Sequence, residues 1–282
     1  MLTPFPKIEE PGPFSPAATP VGRQLCRRYE RCVRNYRRGL AACRNRLSRH
    51  SIHRLRVAIR RLLACLDLLG EVQRRRPAVR ALLQRQSRAL GALHDTEVQL
   101  QMVRREPRIA ADLQPLFRHL QKRRHRQADG ARKALKGGKA AQRLREWRPG
   151  ALRQNSRALE RLRRSINLKL RATVRSLAAF SSPAADGAVR HRARIVSREY
   201  RYSVEALRPG WRSAETGKLL SILRVCQGLI GRFHDRELLL QRIDRLVAKG
   251  RLPALSARPL RRLLRLEMAT QLRACVRKIQ SV

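Results

Sequence analysis

From Arg23 to Leu47 the apolar residues Leu25, Tyr29, Cys32, Tyr36, Leu40, Cys43 and Leu47 recur at intervals of three and four. That is the stripe of an amphipathic helix, and arginine fills the opposite face. Ser48 stands where an N-cap would open a second helix running to about Leu69, with Gly70 placed to end it. Pro77 suits the first turn of a third helix reaching Leu93, followed by helices near 96–105 and 108–129 and a break at Gly137-Gly138. The same order then returns. A long helical pattern spans Ala151 to Phe180, a loop covers Ser181 to Gly187, and helices are predicted near 188–207, 213–232, 235–248 and 256–280. Pro209-Gly210 and the Gly250–Pro253 stretch separate them. No stretch alternates with period two, so the predicted fold is all-α: a helical bundle of two pseudo-twofold-related repeats with four to five helices each. Repeat one covers about 23–148 and repeat two about 151–282, while residues 1–22, rich in Pro, form a flexible leader.

A basic signature recurs within these helices. His53-Arg54-Leu55-Arg56 with Arg60 and Arg61 is matched 138 residues later (191 − 53) by His191-Arg192-Ala193-Arg194 with Arg198 and Arg201. A second pair, Leu90-Gly91-Ala92-Leu93-His94-Asp95 and Ile230-Gly231-Arg232-Phe233-His234-Asp235, is offset by 140 (235 − 95). Two elements in the same order at nearly the same offset point to a duplicated unit. At 100° per residue, Arg49, His53, Arg56 and Arg60 fall in a sector of roughly 60°, turned away from Ile59, Leu62 and Leu66. His191, Arg194, Arg198 and Arg201 form the equivalent stripe, opposite Ala193, Val196, Tyr200 and Val204.

Charge decides what such stripes are for. The chain carries 66 Lys+Arg against 20 Asp+Glu, a formal charge of +46 on 282 residues. A field of that sign repels itself and attracts polyanions, so a polyanionic partner is expected. Aromatic residues are only 4%, which disfavours recognition by stacking of unpaired bases. Arginine suits phosphate because its planar fork donates two hydrogen bonds and keeps its charge at physiological pH, and histidine adds a donor that becomes cationic beside phosphate. The six cysteines show no C-x-x-C pair and read as reduced core residues. No apolar run approaches the roughly 20 residues of a membrane span, and residues 1–22 lack the build of a secretory signal. The expectation is a cytoplasmic protein with no membrane insertion.

The H-x-x-R-x-x-x-R-R and H-x-x-R-x-x-x-R-x-x-R-Y patterns, the latter ending at Arg201-Tyr202, together with the two L/I-G-x-x-H-D elements, resemble the CHAD family, the conserved histidine α-helical domain. The resemblance covers roughly 23–282. It implies an all-helical, pseudo-twofold fold that binds inorganic polyphosphate and associates with polyphosphate granules. Carried over by position, it implies contacts from His53, Arg56, Arg60 and Arg61 and from His191, Arg194, Arg198 and Arg201, with Arg49 on the same stripe. Arg27, Arg34 and Arg38 on the first helix, and Arg164, Lys169, Arg171 and Arg175 on its counterpart, could widen the basic surface, as could His94, His234 and Tyr202. Leu63 stands where the family pattern commonly has a basic residue, and His94 and His234 where it more often has Arg.

Asp95 and Asp235 read as carboxylates after a helix end that cap the next helix or orient a neighbouring arginine, and Glu205 as an acid tied to a cation. Two other readings compete. The same basic surface could bind nucleic acid through its phosphates, although helix-turn-helix, zinc and ribonucleoprotein signatures are missing. His53 with His94-Asp95 also resembles the H…HD…D metal cluster of HD-type phosphohydrolases, but the duplication leaves each half with the same incomplete set. No phosphate-binding G-x-x-x-x-G-K-[ST] loop, G-x-S-x-G elbow or E-x-E-x-K strand is present. A non-catalytic binding module with no cofactor and no metal is therefore expected.

Overall fold

The stripe that opens the chain is buried as predicted: Leu25, Tyr29, Cys32, Tyr36, Leu40 and Cys43 all lie in the core. They fix one face of α1 (Val21–Asn45), which pairs with α2 (Arg49–Gln73). The computed structural model describes residues 21–74, 77–106, 112–147, 156–182, 185–207 and 214–280. Among these the remaining helices are α3 (Val79–Arg104), α4 (Gln114–Lys136), α5 (Lys139–Glu146), α6 (Ser156–Ser181), α7 (Gly187–Leu207), α8 (Ala214–Ala248) and α9 (Ala254–Gln280), with no strand. The fold is an all-α bundle. All but the last two residues of the expected leader lie outside the described residues, as do Pro209-Gly210 and the start of the helix expected from Ala151.

Local chemistry sets several boundaries. Ser48 caps α2 in a reciprocal box, its Oγ accepting from Ser51 N at 3.1 Å while Ser48 N donates to Ser51 Oγ at 3.0 Å. Gly138, at φ +60°, turns the chain between α4 and α5, a conformation glycine adopts without penalty. Cations close other helix ends. Arg44 donates from Nε and a terminal nitrogen to Leu135 O at the end of α4, and Arg161 donates to Glu71 O and Val72 O at the end of α2, where orphan carbonyls and the helix dipole favour positive charge.

Three expectations are corrected. Gly70 does not end α2; it is buried inside the helix, which continues to Gln73. The helices expected at 77–93 and 96–105 are one, α3, and those at 213–232 and 235–248 are one, α8. Apolar and polar core contacts run on without a break, through Leu90, Leu93, Thr96, Leu100 and Val103 in α3 and through Ile230, Phe233, Leu239 and Ile243 in α8. Asp95 and Asp235 therefore sit in mid-helix and cap nothing. The short helix α5 was not foreseen.

The helices pack as hairpins α1–α2, α3–α4, α6–α7 and α8–α9, joined by contacts of α2 with α3, α6 and α7 and of α7 with α8. A large core gathers α1, α2, α6 and α7 with parts of their neighbours. A smaller one joins the ends of α3 and α8 to α4 and α9. Buried polar ties cross between elements: Tyr36 Oη donates to Gln86 Oε1 at 2.8 Å, and Gln86 donates on to Ala134 O. None of the described helices is long and apolar enough to cross a membrane.

Candidate functional site

The helices that carry the two signatures, α2 and α7, pack on each other. Arg56 and Arg60 of one stripe and Arg194 and Arg198 of the other line a shared cleft of about 680 Å³, walled also by α3 and α8. α2 contributes Arg56 and Arg60, and α7 contributes His191, Arg194, Arg198 and Tyr202. Arg80, Arg88 and Asp95 enter from α3, Arg123 from α4, Lys169 from α6 and Arg242 from α8. Nine Lys and Arg side chains thus line the cleft against three carboxylates, Asp67, Asp95 and Glu199.

Neutralisation is partial. Arg80 Nε donates to Asp67 Oδ1 at 2.7 Å, Arg242 Nε to Gln99 Oε1 at 3.0 Å and Lys169 Nζ to Ser203 Oγ at 3.1 Å. Arg56, only 6% exposed, comes no nearer to Asp95 than 3.9 Å. The buried Nε atoms of Arg56 and Arg123 have no acceptor among the described residues. An unsatisfied buried donor costs about 1–3 kcal/mol, so each of these atoms favours an incoming acceptor oxygen.

Burial first, and repulsion between neighbouring cations second, act on these groups. Burial pushes Arg198 down to about 9, with Arg60 and Arg194 adding to the effect. Burial takes Arg56 down to about 10, Arg60 pushing the same way and Asp95 opposing. Arg60 is lowered by burial too, and its contact with Tyr202 holds it back. Arg56 and Arg198 stay protonated near neutrality, and their depression reports burial first and repulsion from neighbouring cations second.

Two carboxylates sit within this field and behave differently. Burial alone would raise Asp95, but its hydrogen bond with His94 (Nδ1 to Oδ1, 3.3 Å) and the Arg56 guanidinium hold it below the usual carboxylate value. Asp235 is raised by burial, with the charge of Asp95 adding to it and that of Arg194 opposing. The histidines of the two motifs meet in pairs: the His53 and His94 rings lie 6.1 Å apart and those of His191 and His234 5.3 Å. His234 Nδ1 reaches Glu237 Oε2 at 3.5 Å. Burial lowers His53 and His191, and the paired histidine and nearby arginines lower each further. Among the described residues no group of three or more His, Cys, Asp or Glu is placed to hold a metal ion.

This helical bundle has relatives. The CHAD domain family model matches residues 27–244. The chain belongs to the CHAD family. Its fold is similar to the crystal structure of the CHAD domain from the plant Ricinus communis, with a TM-score of 0.70 at 23% identity over 94% of this chain and 93% of that one. It is also similar to PptA from Streptomyces chartreusis, with a TM-score of 0.68 at 18% identity over 93% of this chain and 99% of that one. At these identities the likeness is one of fold. A comparison with curated proteins finds no match.

Within this CHAD fold, the other residues singled out from the sequence are placed unevenly. Arg49 is exposed at the start of α2. His53 and Arg61 line a second groove of about 350 Å³, shared with Arg38 and Arg54 between α1 and α2. Arg201 lies outside the cleft lining: it donates to Glu205 Oε1 at 3.2 Å and stacks over the Tyr202 ring at 4.5 Å, while Glu205 also accepts from Arg224 at 3.2 Å. Arg27, Arg34 and Arg175 are exposed, and Arg164 and Arg171 form a separate patch on α6. Of the four α6 cations considered, Lys169 alone enters the cleft.

Arg80, Arg88, Arg123 and Arg242 escaped the sequence reading. A signal existed for three of them. Arg80, Gln84, Arg88, Gly91 and Asp95 form a polar stripe at helical spacing along α3, and Arg242 lies two turns after Asp235 on α8. Arg123 carries no such mark.

Proposed function

We propose that this protein binds inorganic polyphosphate in the cleft between α2 and α7, as a binding module that catalyses no reaction on it, and that residues 23–148 and 151–282 are two copies of one unit meeting there. The observation that carries this reading is the convergence of Arg56, Arg60, Arg194 and Arg198 on one recessed cleft where nine Lys and Arg side chains stand against three carboxylates. Phosphate oxygens would satisfy the Nε atoms of Arg56 and Arg123 and relieve the repulsion among their neighbours. A bare phosphate chain is thin enough to enter between packed helices, whereas the backbone of a duplex, carried on a broad cylinder, would not reach an arginine that is 6% exposed. Membership of the CHAD family adds the expectation drawn above from its motif, with polyphosphate granules as the cellular setting.

Competition tests this directly. Labelled long-chain polyphosphate bound in chelator and moderate salt should be displaced by unlabelled polyphosphate and poorly by charge-matched single- or double-stranded DNA. Equal displacement per charge would make the protein a general polyanion binder and nucleic acid its leading partner.

A pH profile separates the histidines from the arginines. In the unliganded protein His53 and His191 are lowered from their ordinary value of 6.5, mainly by burial, so their contribution to stability is complete above 6.5 and is lost below it, as the pH falls through their lowered folded-state values. At His191, which lines the cleft, bound phosphate reverses the sign by favouring the imidazolium. Polyphosphate affinity should therefore rise on going from pH 7.5 to 5.5, by at most about tenfold per pH unit for each proton taken up. Replacing His191, which lines the cleft, with Gln should flatten the profile in a fluorescence titration, whereas His53→Gln, in the α1–α2 groove, should change it little; a profile unaltered by His191→Gln would remove that histidine from the site.

A further inference from the structure

The groove between α1 and α2 holds a chemical group that anion binding does not use. α1 and α2 approach closely because Gly39 presents no side chain: a Cβ there would stand 3.2 Å from the Leu55 Cα. That approach brings Cys32 of α1 and Cys65 of α2 into contact, Sγ to Sγ at 3.8 Å. Cys32 lines the groove together with His53, Arg54 and Arg61, whereas Cys65 is wholly buried behind it.

We propose that Cys32 and Cys65 are a redox-sensitive thiol pair that a hydroperoxide entering the α1–α2 groove converts to a disulfide joining the two helices. The pair divides the work by position. Cys32 faces the groove and has Arg28, Arg31 and Arg61 near it; the hydrogen bond from Cys65 and these three charges favour its thiolate against burial. Cys65 keeps its proton, raised by its role as donor to Cys32 and by burial. A thiolate in an electropositive setting beside a second thiol is the arrangement that reacts with peroxide and then resolves; Cys32 is itself buried, 3% exposed, and meets peroxide only through the groove it lines.

In the first step the Cys32 thiolate attacks one oxygen of hydrogen peroxide; an S–O bond forms, the O–O bond breaks, and the departing hydroxide takes up the proton given up by the Cys32 thiol and leaves as water. Cys32 is then a sulfenic acid. In the second step the Cys65 sulfur attacks the Cys32 sulfur; the S–S bond forms, the S–O bond breaks, and the released hydroxide takes the Cys65 proton to leave as a second water. Two thiols are oxidised by two electrons and one hydroperoxide is reduced. Cys226 of α8 and Cys275 of α9 pair in the same way but do not line this groove, and so provide an internal comparison.

The test treats the native protein with a small excess of hydrogen peroxide, blocks residual thiols and maps non-reduced tryptic peptides over time. The expected product joins the peptide Cys32–Arg34 to Leu62–Arg74 with loss of two hydrogens, and appears faster than any Cys226–Cys275 linkage. Closing this loop should raise Tm by about 5–10 °C, and a thiol reductant should reverse both changes. In the Cys65→Ser variant, with its helicity checked by circular dichroism, dimedone should label Cys32 as a trapped sulfenic acid. Absence of the Cys32–Cys65 linkage at peroxide levels that oxidise methionine, its appearance only in denaturant, or an equal rate for Cys226–Cys275 would each overturn the proposal.

Discussion

Replacing Arg56, Arg60, Arg194 and Arg198 together with alanine is expected to weaken polyphosphate binding by at least about 100-fold at 0.15 M salt. A hydrogen bond to a charged partner contributes about 1.5–3 kcal/mol net. Neighbouring contacts are not additive, but even two such contacts amount to about 3–6 kcal/mol, and 1.4 kcal/mol is a factor of ten. Helicity should survive, because these side chains form no part of the apolar clusters that hold the helices together. A matched variant keeps the comparison honest about charge. Arg27, Arg34, Arg164 and Arg175 are exposed and line no part of the cleft. Their replacement removes the same four charges, and it should reduce affinity only through the long-range field, an effect that fades as salt shortens the Debye length from about 8 Å to 3 Å. Calorimetric titration of both variants decides the matter. Equal losses would show that bulk charge binds polyphosphate and that the convergence of the two stripes is incidental.

That contrast turns on something the sequence shows only in part. The helical period of α1 and the opening of α2 at Ser48 follow from local pattern and capping chemistry, and both were legible. So was the all-α class, because no segment alternates with period two. The continuity of α3 and α8 was not: Gly91, His94 and Asp95 read as a boundary, yet an apolar face running from Leu90 to Val103 holds the helix together through them. Tertiary burial there outweighs local propensity. How deeply the arginine stripes are recessed was hidden for a related reason. A projection shows which residues share a face, but only packing shows what that face meets, and here it meets its counterpart. Arg201 makes the same point in reverse, since it shares a stripe with Arg198 yet is claimed by Glu205 and the Tyr202 ring. Arg123 comes from a distant helix and has no periodic partner at all. The thiol contact between Cys32 and Cys65 was equally out of reach, because 33 residues separate the two and only the close approach at Gly39 brings them together.

Long-chain polyphosphate at about 1,000 times its Kd is expected to raise Tm by roughly 8–15 °C. A ligand that binds only the native state stabilises it by about 4.1 kcal/mol at that excess, and 1 kcal/mol moves Tm by about 2–4 °C for a chain of roughly this size. The effect should be large because the free protein starts from an unfavourable position. Its formal charge of +46 opposes compaction everywhere, and in the cleft the buried Arg56 stands with the half-buried Arg60 and Arg198. Simple salt relieves the first of these and not the second, since buried charges are screened much less. Added chloride should therefore raise Tm modestly on its own and shrink the polyphosphate-induced shift, as expected when binding releases counterions. Orthophosphate at the same total phosphate should give a much smaller rise, because single anions lack the linkage that lets one chain engage several arginines at once. If orthophosphate matched the long chain in a thermal scan, the stabilisation would be generic screening, and the cleft would hold isolated anions instead of a polymer.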